Sequence, residues 1–252
     1  MTSEVGRNLN WRVESVRLTA FMQGPAAVGL GWESVVGEPP EMKSEKPREG
    51  VSDQRGGFAG GQLVFTSQPT RVDWQWEADL TSLILGEVVI GLTDGLDRLK
   101  PVADKWLGAA SGVHRLALGA VLSLPVSDRD YGYETLQRYA PSLKLGPGKT
   151  SEVFFQINRP RPSKAVSGLE LNRLTKWHVS QRFPVSVQIA IGGAGNVQTG
   201  SVFGESSYSC RLELDLSTDA QRTETFAADT LADLWKELGI LAVEIAEKGE
   251  TP

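Results

Sequence analysis

The chain contains few of the residues that most often perform chemistry in proteins. Among its 252 residues there is one cysteine, Cys210, and there are two histidines, His114 and His178. A single cysteine excludes an intrachain disulfide and any metal site that needs several thiolates. No apolar run approaches the ~18–20 residues of a membrane-spanning helix, and the charged N-terminal segment does not resemble a signal peptide. We therefore expect a soluble, cytoplasmic protein that enters no membrane and binds no metal or cofactor.

The charge balance excludes a second class of function. The formal net charge is −5 and the sequence pI is about 5.2, which disfavours a general binder of nucleic acid or anionic lipid. The hydrophobic content of 40% and charged content of 23% are those of an ordinary globular protein. A chain of this length and composition has enough apolar surface to bury a sizeable core.

Two matched segments are the strongest signal that is present. Arg71–Asp79 and Cys210–Leu216 both alternate apolar with polar residues, and both carry charge on the polar face. Such alternation is typical of a strand with one buried and one wet face. Each segment is followed by a stretch with helical spacing of leucines, over 92–106 in the first half and 227–247 in the second. Pro101 lies inside the first of these helices and is expected to kink or break it.

The order of elements predicts an α+β fold made mainly of antiparallel sheet, with helices packed on one face. We interpret it as a tandem duplication of a β-α-β-β-α unit, with repeats over 1–111 and 112–252. The two halves could join edge to edge as one continuous domain, which would also hide an exposed sheet edge. Within the first repeat, residues 38–61 are rich in proline, glycine and charge without periodicity, and are predicted to form a mobile loop.

Several motifs have a simpler structural explanation than a functional one. The glycine-rich stretches at 146–151 and 192–195 lack the following helix that phosphate and dinucleotide loops require, so turns are expected there. Asp128 or Asp130 precedes a short predicted helix over 131–140, where an N-cap is a better explanation than a cation site. His114 and Cys210 share their strands' apolar faces, so a buried, hydrogen-bonded ring and an inert thiol are expected.

One segment invites a functional interpretation, the basic elaboration over 156–183. Between Val153 and Gly204 there are six cations and one acid, on a protein that is acidic overall. Guanidinium groups suit bidentate contacts with carboxylate or phosphate, Trp177 is expected to provide a stacking face, and His178 is the better placed general base. The predicted binding residues are Asn158, Arg159, Arg161, Asn172, Arg173, Lys176, Trp177 and His178. The competing interpretation is that these side chains hold an irregular connection in place.

The absence of a recognisable catalytic constellation favours a non-enzymatic role. We expect an interaction, adaptor or scaffold subunit of a multicomponent complex, bacterial for example, that recognises a protein partner or a second copy through the basic segment. The alternative is a protein that binds nucleic acid or nucleotide through the same patch, with an affinity that falls steeply with salt. A hydrolase or ligand-binding cavity between helices and sheet is a third, weaker hypothesis.

Overall fold

The computed structural model describes residues 11–24, 30–79, 89–146, 150–182, 185–191, 197–203 and 206–250. This part of the chain forms an α+β fold, as predicted, with twelve strands and four helices. The strands are β1 (Arg12–Met22), β2 (Met42–Lys46), β3 (Val51–Phe58), β4 (Gly61–Gln68), β5 (Arg71–Ala78), β6 (Val113–Val126), β7 (Phe154–Asn158), β8 (Arg161–Pro162), β9 (Glu170–Arg182), β10 (Val185–Ile191), β11 (Val197–Phe203) and β12 (Ser207–Thr218). The helices are α1 (Trp32–Val36), α2 (Leu92–Ala109), α3 (Arg129–Tyr139) and α4 (Ala228–Lys248).

One antiparallel sheet of ten strands dominates the molecule. Its order is β2-β3-β4-β5-β1-β6-β12-β9-β7, with β8 also pairing with β9, while β10 and β11 form a separate hairpin. Leu18, Trp74, Leu118 and Leu216 lie in register across four neighbouring strands and are fully buried. The buried apolar side chains of all four helices belong to the same cluster. The helices therefore cover one face of the sheet.

The opposite face carries the alternate residues of the same strands. The chain neighbours of the four buried residues named above form a second row across the same strands. In this row Thr19 pairs with Asp73 and Ala117, and Ala117 pairs with Ser217. Because successive side chains of a strand point to opposite faces, this polar row lies on the face that the helices leave uncovered. The alternation in Arg71–Asp79 thus predicted both faces of β5 correctly.

The loop predicted over 38–61 is wrong in its secondary structure. This segment contains β2 and β3, which pair with each other and continue the sheet beyond β4. All five residues of β2 are exposed, so the strand has no buried side and no apolar alternation to reveal it. The turn of the hairpin uses Gly50, whose φ of +65° is a conformation that glycine adopts without steric cost.

Pro101 does not end α2. The helix runs without interruption from Leu92 to Ala109, with Pro101 on its exposed side. Seven buried residues hold the helix against its neighbours, among them Trp106 and Leu107. Tertiary packing of this apolar stripe outweighs the loss of one backbone hydrogen bond at the proline. None of the described helices is both long enough and apolar enough to cross a bilayer.

The strands of the two predicted repeats meet at the centre of the sheet. In each half the first strand pairs with the last, β1 with β5 and β6 with β12. The two first strands, β1 and β6, pair with each other. Strands from both halves therefore belong to one sheet, while their origin by duplication stays a prediction.

Candidate functional site

The fold brings the two Asn-Arg pairs of the basic segment side by side. Strands β7 and β8 both pair with β9, which places Asn158 beside Asn172. The Asn158 Nδ2 donates to Asn172 Oδ1 at 3.0 Å, and the Asn158 Oδ1 accepts from the Arg173 amide at 2.9 Å. Asn158 therefore connects the end of β7 to both the backbone and a side chain of β9.

Arg161 faces a carboxylate from the last helix. Its Nη2 lies 3.3 Å from Oε1 of Glu237, which is only 7% exposed. The same carboxylate accepts hydrogen bonds from Ser163 Oγ at 2.6 Å and from the amides of Lys164 and Ala165 at 2.8 and 3.1 Å. Burial alone would raise the pKa of Glu237, but these hydrogen bonds and Arg161 outweigh it and lower the pKa. Glu237 thus fastens the 159–169 connection to α4.

Arg159 faces a second buried carboxylate, at the end of the chain. Its Nε lies 3.5 Å from Oε2 of Glu250, whose Oε1 accepts from Thr175 Oγ1. Thr175 in turn accepts from Trp177 Nε1 at 3.0 Å. Trp177 is fully buried and stacks on Tyr139 with ring centroids 5.6 Å apart. The prediction that Trp177 provides a stacking face for a ligand is wrong, because the ring belongs to the core.

Other cations of the segment differ in their surroundings. Lys176 Nζ lies 3.8 Å from Glu213 Oε2 across the β9–β12 pair. In the part of the chain that the structure describes, Lys164 and Arg173 have no acidic side chain within 4.0 Å. Arg159, Arg161 and Lys176 therefore each face an acid from outside the segment.

His178 is half-buried on the uncovered face of the sheet, beside Arg211 and 6.0 Å from the Phe154 ring. Burial lowers the pKa of His178, and Arg211 lowers it further against the opposing effect of Glu213. Burial and Arg211 therefore favour the neutral ring over the charged one. This favours a base over an acid, but a general base also needs a substrate proton within reach.

His114 lies differently from its prediction. The pairing of β1 with β6 shifts register between Phe21 and Met22, which places Val113 in the core instead. The His114 ring is half-buried, with Nδ1 3.0 Å from the Arg222 carbonyl oxygen. The expected hydrogen bond is present, but the expected full burial is not, since a β-bulge displaces the side chain.

Cys210 and Asp128 have the structural roles that were predicted. Cys210 is fully buried, and burial raises the pKa of its thiol to about 12, so it is not a nucleophile near neutral pH. Asp128 is the N-cap of α3, and its Oδ1 accepts from the Tyr131 amide at 2.9 Å. That hydrogen bond, first among several, lowers the pKa of Asp128.

No three His, Cys, Asp or Glu side chains of the described residues come together as metal ligands. The two glycine-rich stretches lie wholly or partly outside the described residues.

A second candidate site, which the sequence did not indicate, lies at the centre of the uncovered face. It is a depression of about 270 Å³ over the strands β1, β6, β12 and β9. Gly119 lies at its floor, paired with Arg17 on one side and with Asp215 on the other. Because Gly119 has no side chain, the space above it is open, and the rim of the depression carries charges of both signs. The lining includes Ser15, Arg17, Gly119, Lys176, Glu213 and Asp215.

The side chains beside this depression are held in a polar network. The Asp73 carboxylate is 8% exposed, accepts from Arg71 Nε at 2.7 Å and also accepts from Thr19 Oγ1. Arg17 Nε lies 3.8 Å from the same carboxylate. The Arg17 guanidinium extends over Gly119, with Nη2 3.2 Å from where a Cβ would stand. Fixed neighbours thus orient Arg17 before any ligand binds.

Register decides which charges share this depression. Alternation in a single sequence shows that Arg17, Lys176 and Asp215 lie on polar faces, but it does not show which strands are neighbours. The only local signal is Gly119 within the apolar stretch of β6 from Leu116 to Leu122, since an isolated glycine in a strand often marks a close approach. Compared with known proteins, the chain matches no family model and no curated sequence.

Proposed function

We propose that this protein is a non-catalytic interaction subunit that recognises a polypeptide partner on the uncovered face of its sheet. The observation that carries the proposal is the depression over Gly119, bordered by charges of both signs on a face that no described helix covers. Helices on one side give the sheet a rigid backing, so the uncovered side presents a fixed array of groups. Because these groups are already fixed, less conformational entropy is lost when a partner binds.

The chemistry of the depression favours a polar peptide segment with both charges. Arg17 and Lys176 provide cations, whereas Glu213 and Asp215 provide carboxylates within the same lining. The Arg17 and Lys176 side chains are 39% and 35% exposed, and that of Glu213 is 34% exposed, so each retains a free side for a ligand. Complementary charges of this kind fix register and specificity more than raw affinity.

The same carboxylates disfavour a nucleic-acid backbone at this face. A phosphate chain that crosses the depression would meet Glu213 and Asp215 as well as the cations. The basic segment, predicted above as the recognition surface, remains an alternative docking site for a protein or a nucleic acid. Its case is weaker because Arg159 and Arg161 face the buried carboxylates of Glu250 and Glu237.

The internal duplication belongs to this proposal. A tandem copy of a β-α-β-β-α unit would place the first strands of both copies, β1 and β6, at the middle of the joined sheet. Arg17 and Gly119 are paired at that position. The proposed recognition surface would then lie at the junction of the two repeats, where neither repeat alone contains it.

Filling the depression tests the proposal. The change is Gly119→Val, which suits a strand and whose nearest obstacle is the movable end of Arg17. Partners that co-purify with the tagged full chain at native expression level are identified and quantified by mass spectrometry. We expect at least a tenfold loss (~1.4 kcal/mol) of the specific partner with Gly119→Val.

The matched control is Gly108→Val on α2, where an added Cβ meets nothing within 4 Å. It should retain the partner at the wild-type ratio. A double variant, Lys164→Glu with Arg173→Glu, examines the basic segment. Retention of the partner by Gly119→Val contradicts the proposal, and its loss only in the double variant assigns recognition to the basic segment instead.

A further inference from the structure

The strand β7 leaves an edge of the sheet open. It pairs with β9 on one side and has no strand partner on its other side among the described strands. An edge strand presents unpaired backbone N–H and C=O groups, which another strand can extend. Phe154, at its start, is 60% exposed.

The composition of this edge is unusual for a strand left open. Its five residues, Phe-Phe-Gln-Ile-Asn, contain no charge and no proline. Proteins ordinarily protect an open edge with lysine, proline or an inward-pointing charge, because short uncharged apolar strands associate. Phe155 and Ile157 are half-buried, and Phe155 packs against the main core. A strand added here would therefore extend both the hydrogen-bond ladder and the apolar layer.

We infer that the occupant of this edge is the β7 strand of a second copy, paired antiparallel about Gln156. In this register Gln156 meets its own counterpart, and Phe155 lies opposite Ile157 of the other copy. Aromatic residues opposite β-branched ones are favourable cross-strand pairs. On the other face of the sheet, Phe154 lies opposite Asn158. All five positions find uncharged partners, and the arrangement has the two-fold symmetry that closes a dimer.

The residues that flank β7 are complementary in the same register. Glu152 precedes the strand, and Arg159 and Arg161 follow it. Antiparallel pairing about Gln156 directs Glu152 of one copy towards the end of β7 in the other, where Arg159 and Arg161 keep 27% and 22% of their side chains exposed beside their own carboxylates. Each dimer contains this arrangement twice. A parallel arrangement would instead place the flanking acids of both copies together, so the flanking charges select the antiparallel one.

A single charge at the two-fold axis tests the pairing. Gln156 is exposed and lies beside Lys176 of β9, so Gln156→Glu gains a favourable neighbour within its own chain. In the dimer, however, it places two carboxylates opposite each other. We expect the dimer Kd to rise about fivefold or more, since like charges directly opposite destabilise paired strands.

The measurement is sedimentation velocity of the full chain over ~1–300 μM, a range suited to a contact smaller than the ~1,600 Å² of a standard interface. The matched control is Ser44→Lys at the other edge, where the new charge lies beside Asp53 of β3. It should dimerise like the wild type. Thermal unfolding of both variants verifies that each is folded.

Mixing two variants then tests the register itself. Gln156→Lys and Gln156→Glu should each dimerise weakly alone, and an equimolar mixture should recover at least the wild-type extent, because position 156 pairs with itself. A wild-type chain that stays monomeric over the whole range overturns the inference. So does a dimer that Ser44→Lys disrupts and Gln156→Glu does not, or a mixture with no recovery.

Discussion

The two edges of the ten-stranded sheet are built in opposite ways. At one edge, β2 has all five residues exposed and carries Lys43, Glu45 and Lys46. At the other, β7 is uncharged and begins with an exposed phenylalanine. The charges keep β2 hydrated, which is a common protection against further pairing. The comparison shows that one sheet can close one edge through side-chain charge and leave the other available for pairing.

The sheet is also anchored by different interactions towards its two edges. Towards the β2 edge, Trp74 of β5 lies between Phe65 of β4 and Trp32 of α1, with ring centroids 4.4 and 6.2 Å away. Near β7, the connections are held by the buried carboxylates of Glu237 and Glu250. Aromatic packing does not depend on protonation, whereas carboxylate anchors do. The β7 end should therefore respond to acid more strongly than the β2 end, where the described carboxylate contacts are exposed or only partly buried.

The largest expected effect is that of a substitution at Gly249, the residue directly before Glu250. Gly249 has a φ of +76°, and a Cβ there would stand 2.2 Å from the Tyr139 carbonyl oxygen. Because the obstacle is backbone, no rotamer change relieves it. We expect Gly249→Ala to lower the free energy of unfolding by about 3 kcal/mol, through strain, collision and loss of the Glu250 contacts. Urea unfolding followed by tryptophan fluorescence measures it.

Gly168→Ala is the control for an alanine at a positive φ. Gly168 has the same φ of +76°, but nothing lies within 4 Å of its added Cβ. It should cost only about 1 kcal/mol, the strain of a left-handed alanine. Equal losses in the two variants would show that the collision with Tyr139 and the Glu250 anchor contribute nothing measurable.

The next effect concerns Glu237 and has a definite dependence on pH. Glu237→Gln removes the charge that Arg161, Ser163 and two amides recognise, and should cost about 2 kcal/mol at pH 7. Since folding lowers the pKa of Glu237, its contribution is complete above the unfolded value of ~4.3 and is lost as pH falls through the folded value. The variant and the wild type should therefore converge in stability as the pH falls below the unfolded value of the Glu237 pKa.

Urea unfolding at pH 7, 5 and 3 measures this convergence. Glu247→Gln, on the exposed side of the same helix, makes the same change in net charge. It should follow the wild type at every pH. If Glu237→Gln remains equally destabilised at pH 3, the hydrogen-bonded carboxylate is not the anchor of the 159–169 connection.

The sequence predicted the parts of the fold that have an apolar side. Alternation located β5 and β12, and leucine spacing located α2 and α4. It could not predict β2, because a strand exposed on both faces has no periodic apolar signal. Neither could it predict the arrangement of charges over Gly119, which depends on strand order.

The basic segment shows how the same sequence signal can mislead. Glu237 and Glu250 are more than 70 residues along the chain from the arginines they face. A count of charges within the segment therefore does not reveal that these arginines have acidic partners elsewhere. The burial of Trp177 was equally hidden from the local pattern. Leu171, Thr175 and Trp177 share the core face of β9 and are all fully buried, but Arg173 lies on that face too and Leu174 lies on the other. The strand therefore lacks the clean apolar alternation that would have assigned Trp177 to the core.

The smallest expected effect is at the charged edge. Lys43 Nζ lies 2.8 Å from Glu45 Oε1, and both side chains are more than half exposed. A hydrogen bond with Glu45 and its charge raise the pKa of Lys43, but solvent screens an exposed pair and ordering its side chains opposes the attraction. We expect Lys43→Gln to leave the urea midpoint unchanged within error at low and at high salt. A clear, salt-sensitive drop would mean that β2 is held by its charges rather than merely kept hydrated by them, and the contrast between the two edges would then be one of stability as well as of association.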